Sequence, residues 1–444
     1  MSMSNNPAIP SASLSPAEAR APEARVIGAM RGFAREIGAL SAFQLESCIH
    51  CGMCADACHF YIATEDPKYT PIWKVEPFKQ AYKREASAFA PVFRLFGLKP
   101  KVTADKLDEW QHLLYESCNM CGRCSLICPM GIDVSALIGQ ARHAMFEAGL
   151  APKELYEKAA HQKQTGQPED SAEPYRDKLL AIGREYGVEI PLDKSEAEVM
   201  LTVPRTDIEH YPMAVAALAR VMEHLGVSCT FRSDGLVAEN YGYFAGGKEW
   251  QRQISLRLID QGLACKAKIV IVPECGHAYS ALRWEAADLY GKPLPFKVRH
   301  ITEFLAEQLQ LGKLKLQTAK TGPTAFHDPC QLVRKGGVTD APRALMKAMG
   351  VELHEMKNHG GFSFCCGGGG GVLDIQRAAP LRYRAMENKL REVDQTGAQT
   401  FLTSCSDCRR TFDDARSHFN WEKTPHSLLE LVADNLVGTE RSGA

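Results

Sequence analysis

The hydrophobic pattern changes period once along the chain. Residues 26–47 (VIGAMRGFAREIGALSAFQLES) place apolar side chains at helical spacing, and residues 131–190 read as helical but more polar, with a loose linker expected near Gln162–Pro174. From about residue 198 the pattern becomes α/β. Short β-rich runs at Val199–Val203, Ser228–Phe231, Lys268–Val272, Thr324–His327 and Thr400–Thr403 alternate with helical stretches. The first 25 residues are rich in Ser, Ala and Pro and lack the apolar core of a secretory signal, so a disordered tail is expected. No run approaches the roughly 18 apolar residues of a membrane span.

The α/β half repeats itself. Val203-Pro204-Arg205 corresponds to Asp328-Pro329-Cys330, and Asn240-Tyr241 to Cys365-Cys366. The run ending Pro273-Glu274-Cys275 corresponds to the one ending Thr403-Ser404-Cys405, and Glu303 to Glu430. The offsets run from 124 to 130 residues throughout, as expected of two similar α/β units packed pseudo-symmetrically.

Composition adds one strong signal. The 444 residues are 45% hydrophobic with a net charge of −1, which allows about three ordinary domains and gives no basic surface for nucleic acid. Sixteen cysteines are unusual, and eight of them form two runs. Cys48, Cys51, Cys54 and Cys58, then Cys118, Cys121, Cys124 and Cys128 followed by Pro129, each read C-x2-C-x2-C-x3-C, the spacing that wraps thiolates around a cubane [4Fe-4S] cluster. In two-cluster ferredoxins the fourth cysteine of each run serves the other cluster. One set is then Cys48, Cys51, Cys54 and Cys128, and the other is Cys118, Cys121, Cys124 and Cys58. His59 follows Cys58 where Pro129 follows Cys128. Thiolate ligands with no secretory signal imply a reducing cytoplasm.

The insertion between the runs contains the aromatic and aliphatic stretch Ala86–Pro100, readable as a helix on the ferredoxin core or as a docking surface for a membrane partner. The architecture expected is α+β and multidomain. A tail (1–25) precedes a mostly helical two-cluster ferredoxin-like domain (26–150, insertion 59–117) and a helical linker (151–197). Two pseudo-symmetric, Rossmann-like α/β repeats follow, a degenerate one at 198–318 and an intact one at 319–438.

The intact repeat carries Cys330, Cys365-Cys366 and Cys405-Ser-Asp-Cys408, each at a strand end or helix start, where open α/β folds converge their binding residues. Five thiolates from three loops meeting there would suit a metal centre. Zinc at the C-x2-C and a vicinal disulfide at Cys365-Cys366 are the alternatives. The glycines Gly367–Gly371 lack the Lys-Ser/Thr of a phosphate loop, and their service is expected to be steric, letting backbone approach a cluster closely. In the degenerate repeat Arg205, Asn240, Tyr241 and Ala278 stand at ligand positions and only Cys275 survives, inside Glu274-Cys275-Gly276-His277. If the repeats face each other, Cys275 and His277 point toward the intact site, where His277 would donate protons to a leaving thiolate. Cys229 and Cys265 read as structural.

Two ferredoxin runs followed by this five-cysteine pattern resemble the cysteine-rich CCG-domain proteins related to heterodisulfide reductase, in particular its D-type catalytic subunit and the K-type subunit of the dissimilatory sulfite-reduction membrane complex. Glu109-Trp110, Ser117-Cys118-Asn119-Met120-Cys121-Gly122-Arg123-Cys124 and Glu274-Cys275-Gly276-His277 carry the K-type likeness. The resemblance implies a noncubane [4Fe-4S] cluster on Cys330, Cys365, Cys366, Cys405 and Cys408, with disulfide chemistry at Cys365 and Cys366. It also implies a membrane cytochrome b partner exchanging electrons with quinone, so that the chain lies on the inner face of the membrane. The resulting expectation is an oxidoreductase acting on sulfur groups, with a small thiol/disulfide carrier protein as a candidate substrate. The alternative is the electron-transfer subunit of a flavin dehydrogenase of glycerol-3-phosphate, glycolate or lactate type.

Overall fold

The computed structural model describes residues 22–83, 90–97, 102–169 and 173–438. The tail expected at 1–25 falls largely outside them. The N-terminal helical pattern forms two helices, Pro22–Glu36 and Ala39–Glu46, because Gly38 interrupts it and begins the second. The helix Val134–Glu147 lies along the first, where Gly32 lets the backbones close: a Cβ there would stand 3.0 Å from Ala144.

The insertion folds back onto these helices rather than looping away. Phe78 and Trp110 are buried against Phe33, with ring centroids 5.8 and 5.7 Å from it, so most of the insertion serves as core. Within Ala86–Pro100, residues 86–89 and 98–100 lie outside the described part. The short helix Ala90–Leu95 and its neighbour Phe96 leave Val92, Leu95 and Phe96 exposed to solvent.

Residues 151–197 are not a loose linker at Gln162. The helix Lys153–Thr165 buries Gln162, whose side chain bonds the Glu239 carbonyl and the Tyr241 N–H, and the helix Tyr175–Tyr186 buries Tyr175, Leu179 and Ile182 in the α/β core. Polar composition suggested mobility, but a buried amide needs partners, and it finds them in the neighbouring α/β unit.

The α/β half contains two parallel sheets. Strands β1 (Val199–Leu201), β2 (Cys229–Phe231), β3 (Ile269–Val272) and β4 (Lys297–His300) are ordered β2-β1-β3-β4. Strands β5 (Thr324–His327), β6 (Thr400–Thr403) and β7 (Pro425–Ser427) are ordered β5-β6-β7, and Leu353 bridges in parallel to Thr324 on the outer side of β5. The edge strands β4 and β7 escaped the sequence reading, since KVRH and PHS lack a β-rich apolar run. One hydrophobic cluster joins both sheets through Leu201, Ile271, Phe326, Leu402 and Leu428. At about 25 cal/mol per Å² of apolar area, this shared core is the main attraction between the two units.

Candidate metal centres and the joint between them

The two ferredoxin runs share a backbone conformation. His50 and Gly52 in the first run, and Met120 and Gly122 in the second, all have positive φ, between 52° and 81°. Each left-handed pair turns the loop so that successive sulfurs face inward, and a five-residue helix follows, Met53–Ala57 or Arg123–Ile127. The result is two sulfur-lined cavities. Cys48, Cys51, Cys54 and Cys128 line one, and Cys118, Cys121, Cys124 and Cys58 line the other, so each cavity takes three sulfurs from one run and the fourth from the other. All sixteen thiols are free, including Cys365 and Cys366, so there is no vicinal disulfide. The donor sets fit four-iron clusters.

The two cavities differ in setting. Around the first, Cys51 is exposed with Ile49, Met53 and Met130 beside it. The second is interior. Lys74, itself buried, donates to Cys58 Sγ at 3.4 Å and to the Ser117 carbonyl.

A third convergence of sulfur lies at the end of the β5-β6-β7 sheet. Cys330 follows β5, Cys405 follows β6, and Cys408 is in the first turn of the helix Ser406–Phe419. Cys365-Cys366 come from the loop before the glycines. All five are buried. Cys330 and Cys365 Sγ are 3.6 Å apart, and the ligand atoms of Cys366, Cys408 and His327 lie within 4.8 Å of one another. The Cys365 and Cys408 thiols, with the His327 ring nearby, hold Cys366 well below the usual thiol range, while Cys121, Cys330 and Cys366 push Cys365 up and Cys366 and Cys405 push Cys408 up. Five convergent sulfurs form a donor set that suits a thiophilic cluster.

His327 was missed by the sequence reading. It ends β5, is fully buried, meets the Phe412 ring edge-on at 5.0 Å, and turns its nitrogens toward Cys366. The available signal was a histidine three residues before Cys330 at a strand end.

The third site abuts the second ferredoxin cavity. Cys121, which lines that cavity, hydrogen-bonds Cys365. Polar side chains seal the joint. Arg334 donates to the Cys121, Gly361 and Ser363 carbonyls, at 2.7, 3.0 and 2.6 Å, and Gln331 donates to the Met120 carbonyl at 2.9 Å. Asn119 donates to the Gly367 and Gly369 carbonyls at 2.7 and 3.0 Å, and its oxygen meets His59 Nε2 at 2.7 Å. The residue that broke the cysteine–proline pattern, His59, therefore orients the amide that holds the glycine run. Asn119→Ala leaves two buried carbonyls and a buried imidazole without partners, each worth about 1–3 kcal/mol. The expected result is a lower denaturation midpoint, read by circular dichroism.

The glycines are closely packed. A Cβ on Gly368 would stand 2.1 Å from Thr411 Oγ1, and one on Gly370, whose φ is +65°, would stand 3.0 Å from the Asn119 carbonyl group. Only backbone fits between the ferredoxin joint and the cysteine loop.

His277 packs on this run. Its Nε2 accepts the Gly370 N–H at 3.1 Å, and burial pushes its pKa down to about 4. The ring is neutral near pH 7 and braces the glycines. Proton donation from it is open only at Nδ1. Cys275 makes no hydrogen bond to the five sulfurs, although Cys405 is near enough to help burial push its thiol up. Its Sγ accepts the Ala278 N–H at 3.4 Å and shares a buried cluster with the Glu239 and Asp407 carboxylates, all ligand atoms within 4.8 Å. The other positions of the degenerate set are filled by polar contacts. Arg205 pairs with Glu169 and, at 3.8 Å, Asp374. Asn240 caps the helix Tyr241–Ala245, and the Tyr241 hydroxyl bonds Asp374 at 3.2 Å. Cys229 and Cys265 are buried in the α/β core.

Comparison with known proteins matches these two halves separately. Residues 44–132 match the family described as 4Fe-4S dicluster domain, and residues 324–413 the family described as Cysteine-rich domain, CCG. The chain thus carries a stretch like each of these two cysteine-rich families. The D-type subunit of dihydromethanophenazine:CoB--CoM heterodisulfide reductase from Methanosarcina barkeri is 27% identical over 90% of this chain and 96% of that protein. The Hdr-like menaquinol oxidoreductase iron-sulfur subunit 2 of Archaeoglobus fulgidus is 24% identical over 89% and 80%. EtfAB:quinone oxidoreductase of Syntrophomonas wolfei is 27% identical over 84% of this chain and 55% of that protein. These relatives are oxidoreductases or their iron–sulfur subunits, which supports an electron-transfer role for this chain. Among the described residues no helix is long and apolar enough to cross a membrane.

Proposed function

We propose that this chain is an oxidoreductase subunit that relays single electrons through two cubane clusters to a noncubane [4Fe-4S] cluster, where a disulfide-type sulfur bond is reduced or formed. The carrying observation is the contact of Cys121 with Cys365, which puts the interior ferredoxin set against the five-cysteine group. Cys48, Cys51, Cys54 and Cys128 would hold the outer cubane, Cys118, Cys121, Cys124 and Cys58 the inner one, and Cys330, Cys365, Cys366, Cys405 and Cys408 the noncubane cluster. Bound there, the clusters supply one-electron transfer and an iron–sulfur surface for two-electron sulfur chemistry. The chain's own residues do the rest. Asn119, Gln331 and Arg334 fix the joint between inner and catalytic sites, His327 orients Cys366, His277 holds the glycine run, and Lys74 places a positive charge beside Cys58.

The reading extends to architecture and partners. The matching strand orders support two pseudo-symmetric Rossmann-like units at 198–318 and 319–438, behind a ferredoxin-like domain at 26–150. The exposed Cys51, with Ile49, Met53 and Met130, supports docking of a membrane cytochrome b subunit at the outer cubane, with the chain peripheral on the cytoplasmic face. A small thiol/disulfide carrier protein is the proposed sulfur partner.

The test is electron paramagnetic resonance of the oxidised chain with a thiol added. A new paramagnetic signal that needs Cys365 and Cys366 is expected, and its absence in a chain holding its full iron would refute the sulfur chemistry. The likeness to EtfAB:quinone oxidoreductase favours a second reading, a relay for a flavin dehydrogenase. There, disulfide reduction would be absent without a flavoprotein partner. Lys74→Met should make the inner cubane harder to reduce. A lost charge-assisted hydrogen bond of about 1.5–3 kcal/mol corresponds to a potential roughly 60–130 mV more negative, read by redox titration.

A further inference from the structure

We infer that Glu239, Cys275 and Asp407 form a mononuclear site for a thiophilic divalent cation, zinc or ferrous iron, separate from the iron–sulfur sites and standing whether or not the disulfide reading holds. The three side chains come from different places: the loop after β2, the loop after β3, and the turn between Cys405 and Cys408. Their ligand atoms nonetheless lie within 4.8 Å of one another, and Glu239 and Cys275 are 3% and 1% exposed.

Burying two carboxylates and a thiol together is costly unless something positive joins them. The nearby guanidiniums of Arg205 and Arg410 act on Asp407 through space, but burial still pushes its carboxyl up. Arg205 gives only its backbone N–H to Glu239, at 3.1 Å, while its guanidinium pairs with Glu169 and Asp374. Lys158 is likewise held by Glu169 and Asp374, at 3.4 and 2.8 Å. The existing hydrogen bonds leave acceptor capacity free: Thr206 donates to one Asp407 oxygen, and the Ala278 N–H caps Cys275.

The surroundings also fit a cation. Asp407 lines an inner cavity bounded by Arg205, His277 and the glycines. Leu373, Asp374 and Arg410 line both that cavity and an open basin, whose wall carries Glu154, Glu157, Glu169 and Asp374 beside Lys158 and Arg410. Acids outnumber bases there, a balance that favours cations. One sulfur and two oxygen donors are too hard for copper(I) and too soft for calcium or magnesium, whereas zinc and ferrous iron accept the mixture. Three protein ligands leave a fourth position for water or another ligand from the cavity.

The experiment uses the full chain, reconstituted with iron and sulfide, exposed to zinc chloride and desalted. About one zinc per chain should remain, and X-ray absorption at the zinc edge should show one sulfur at about 2.3 Å and two or more oxygens near 2.0–2.2 Å. Cys275→Ser should remove the sulfur shell, and Glu239→Gln should weaken zinc retention by roughly tenfold or more, iron content holding in both. Asp207→Asn, a buried acid outside the group, should keep the zinc. No retained zinc, equal retention in both variants, or a shell of three or more sulfurs would overturn the site. If a variant loses its iron and so has not folded, the sulfur count in the unaltered chain decides alone.

Discussion

Cys366→Ala is expected to lower thiol- or disulfide-dependent turnover by more than about 100-fold and to erase the thiol-induced paramagnetic signal, while both cubane signals persist. Cys366 is the member of the five-cysteine group most stabilised as thiolate, by the Cys365 and Cys408 thiols with the His327 ring nearby. Loss of outer partners of a metal ligand alone costs about 10–100-fold, so loss of the ligand itself should exceed that. The cubane sites draw on other cysteines and should survive, as the iron count would record. Retained turnover would refute the catalytic assignment. Retained turnover that also requires a flavoprotein would support the relay reading.

Arg142→Met is expected to produce the largest loss of stability, about 3–5 kcal/mol, seen as a lower denaturant midpoint and faster release of iron from the inner cubane. Arg142 is fully buried in the helix Val134–Glu147 without a carboxylate partner. Its five donors instead meet four carbonyls: Leu114 at 3.0 Å, Cys118 at 2.9 Å, Phe244 at 3.1 Å and Gly370 at 2.7 Å. The Tyr115 ring lies 4.6 Å from the guanidinium. One side chain thus ties a cluster-bearing loop to the degenerate repeat and to the glycine run. Methionine fills the volume but leaves all four carbonyls unpaired. Arg142→Lys should fall between the two, since a point charge with three donors cannot span a planar fork of contacts.

Much of this was legible in the residues because the chemistry is local. The first three cysteines of a C-x2-C-x2-C-x3-C run face one side of a tight loop and the fourth reaches the other site, so spacing already groups the two ferredoxin sets. The strands Thr324–His327 and Thr400–Thr403 stand where their β-branched and aromatic residues predict, because both are buried within a parallel sheet. β4 and β7 were not legible. An edge strand takes its hydrogen bonds from a neighbour, and KVRH and PHS carry no apolar run of their own. Gln162 was misread for a related reason, since a polar helix end looks mobile until its partners, Glu239 and Tyr241, are seen.

The residues by themselves determined that this chain carries two iron–sulfur thiolate runs, that its second half alternates strands with helices, and that five more cysteines fall at strand ends or helix starts in its last third. Each of those follows from side-chain type and short-range spacing. Only the tertiary structure decided that Cys121 touches Cys365, that His59 and Asn119 serve the glycine run, that His277 accepts rather than donates at Nε2, and that Cys275 faces Glu239 and Asp407. These contacts join residues tens to hundreds of positions apart. Their geometry comes from how two cores pack, and neither periodicity nor motif encodes that packing.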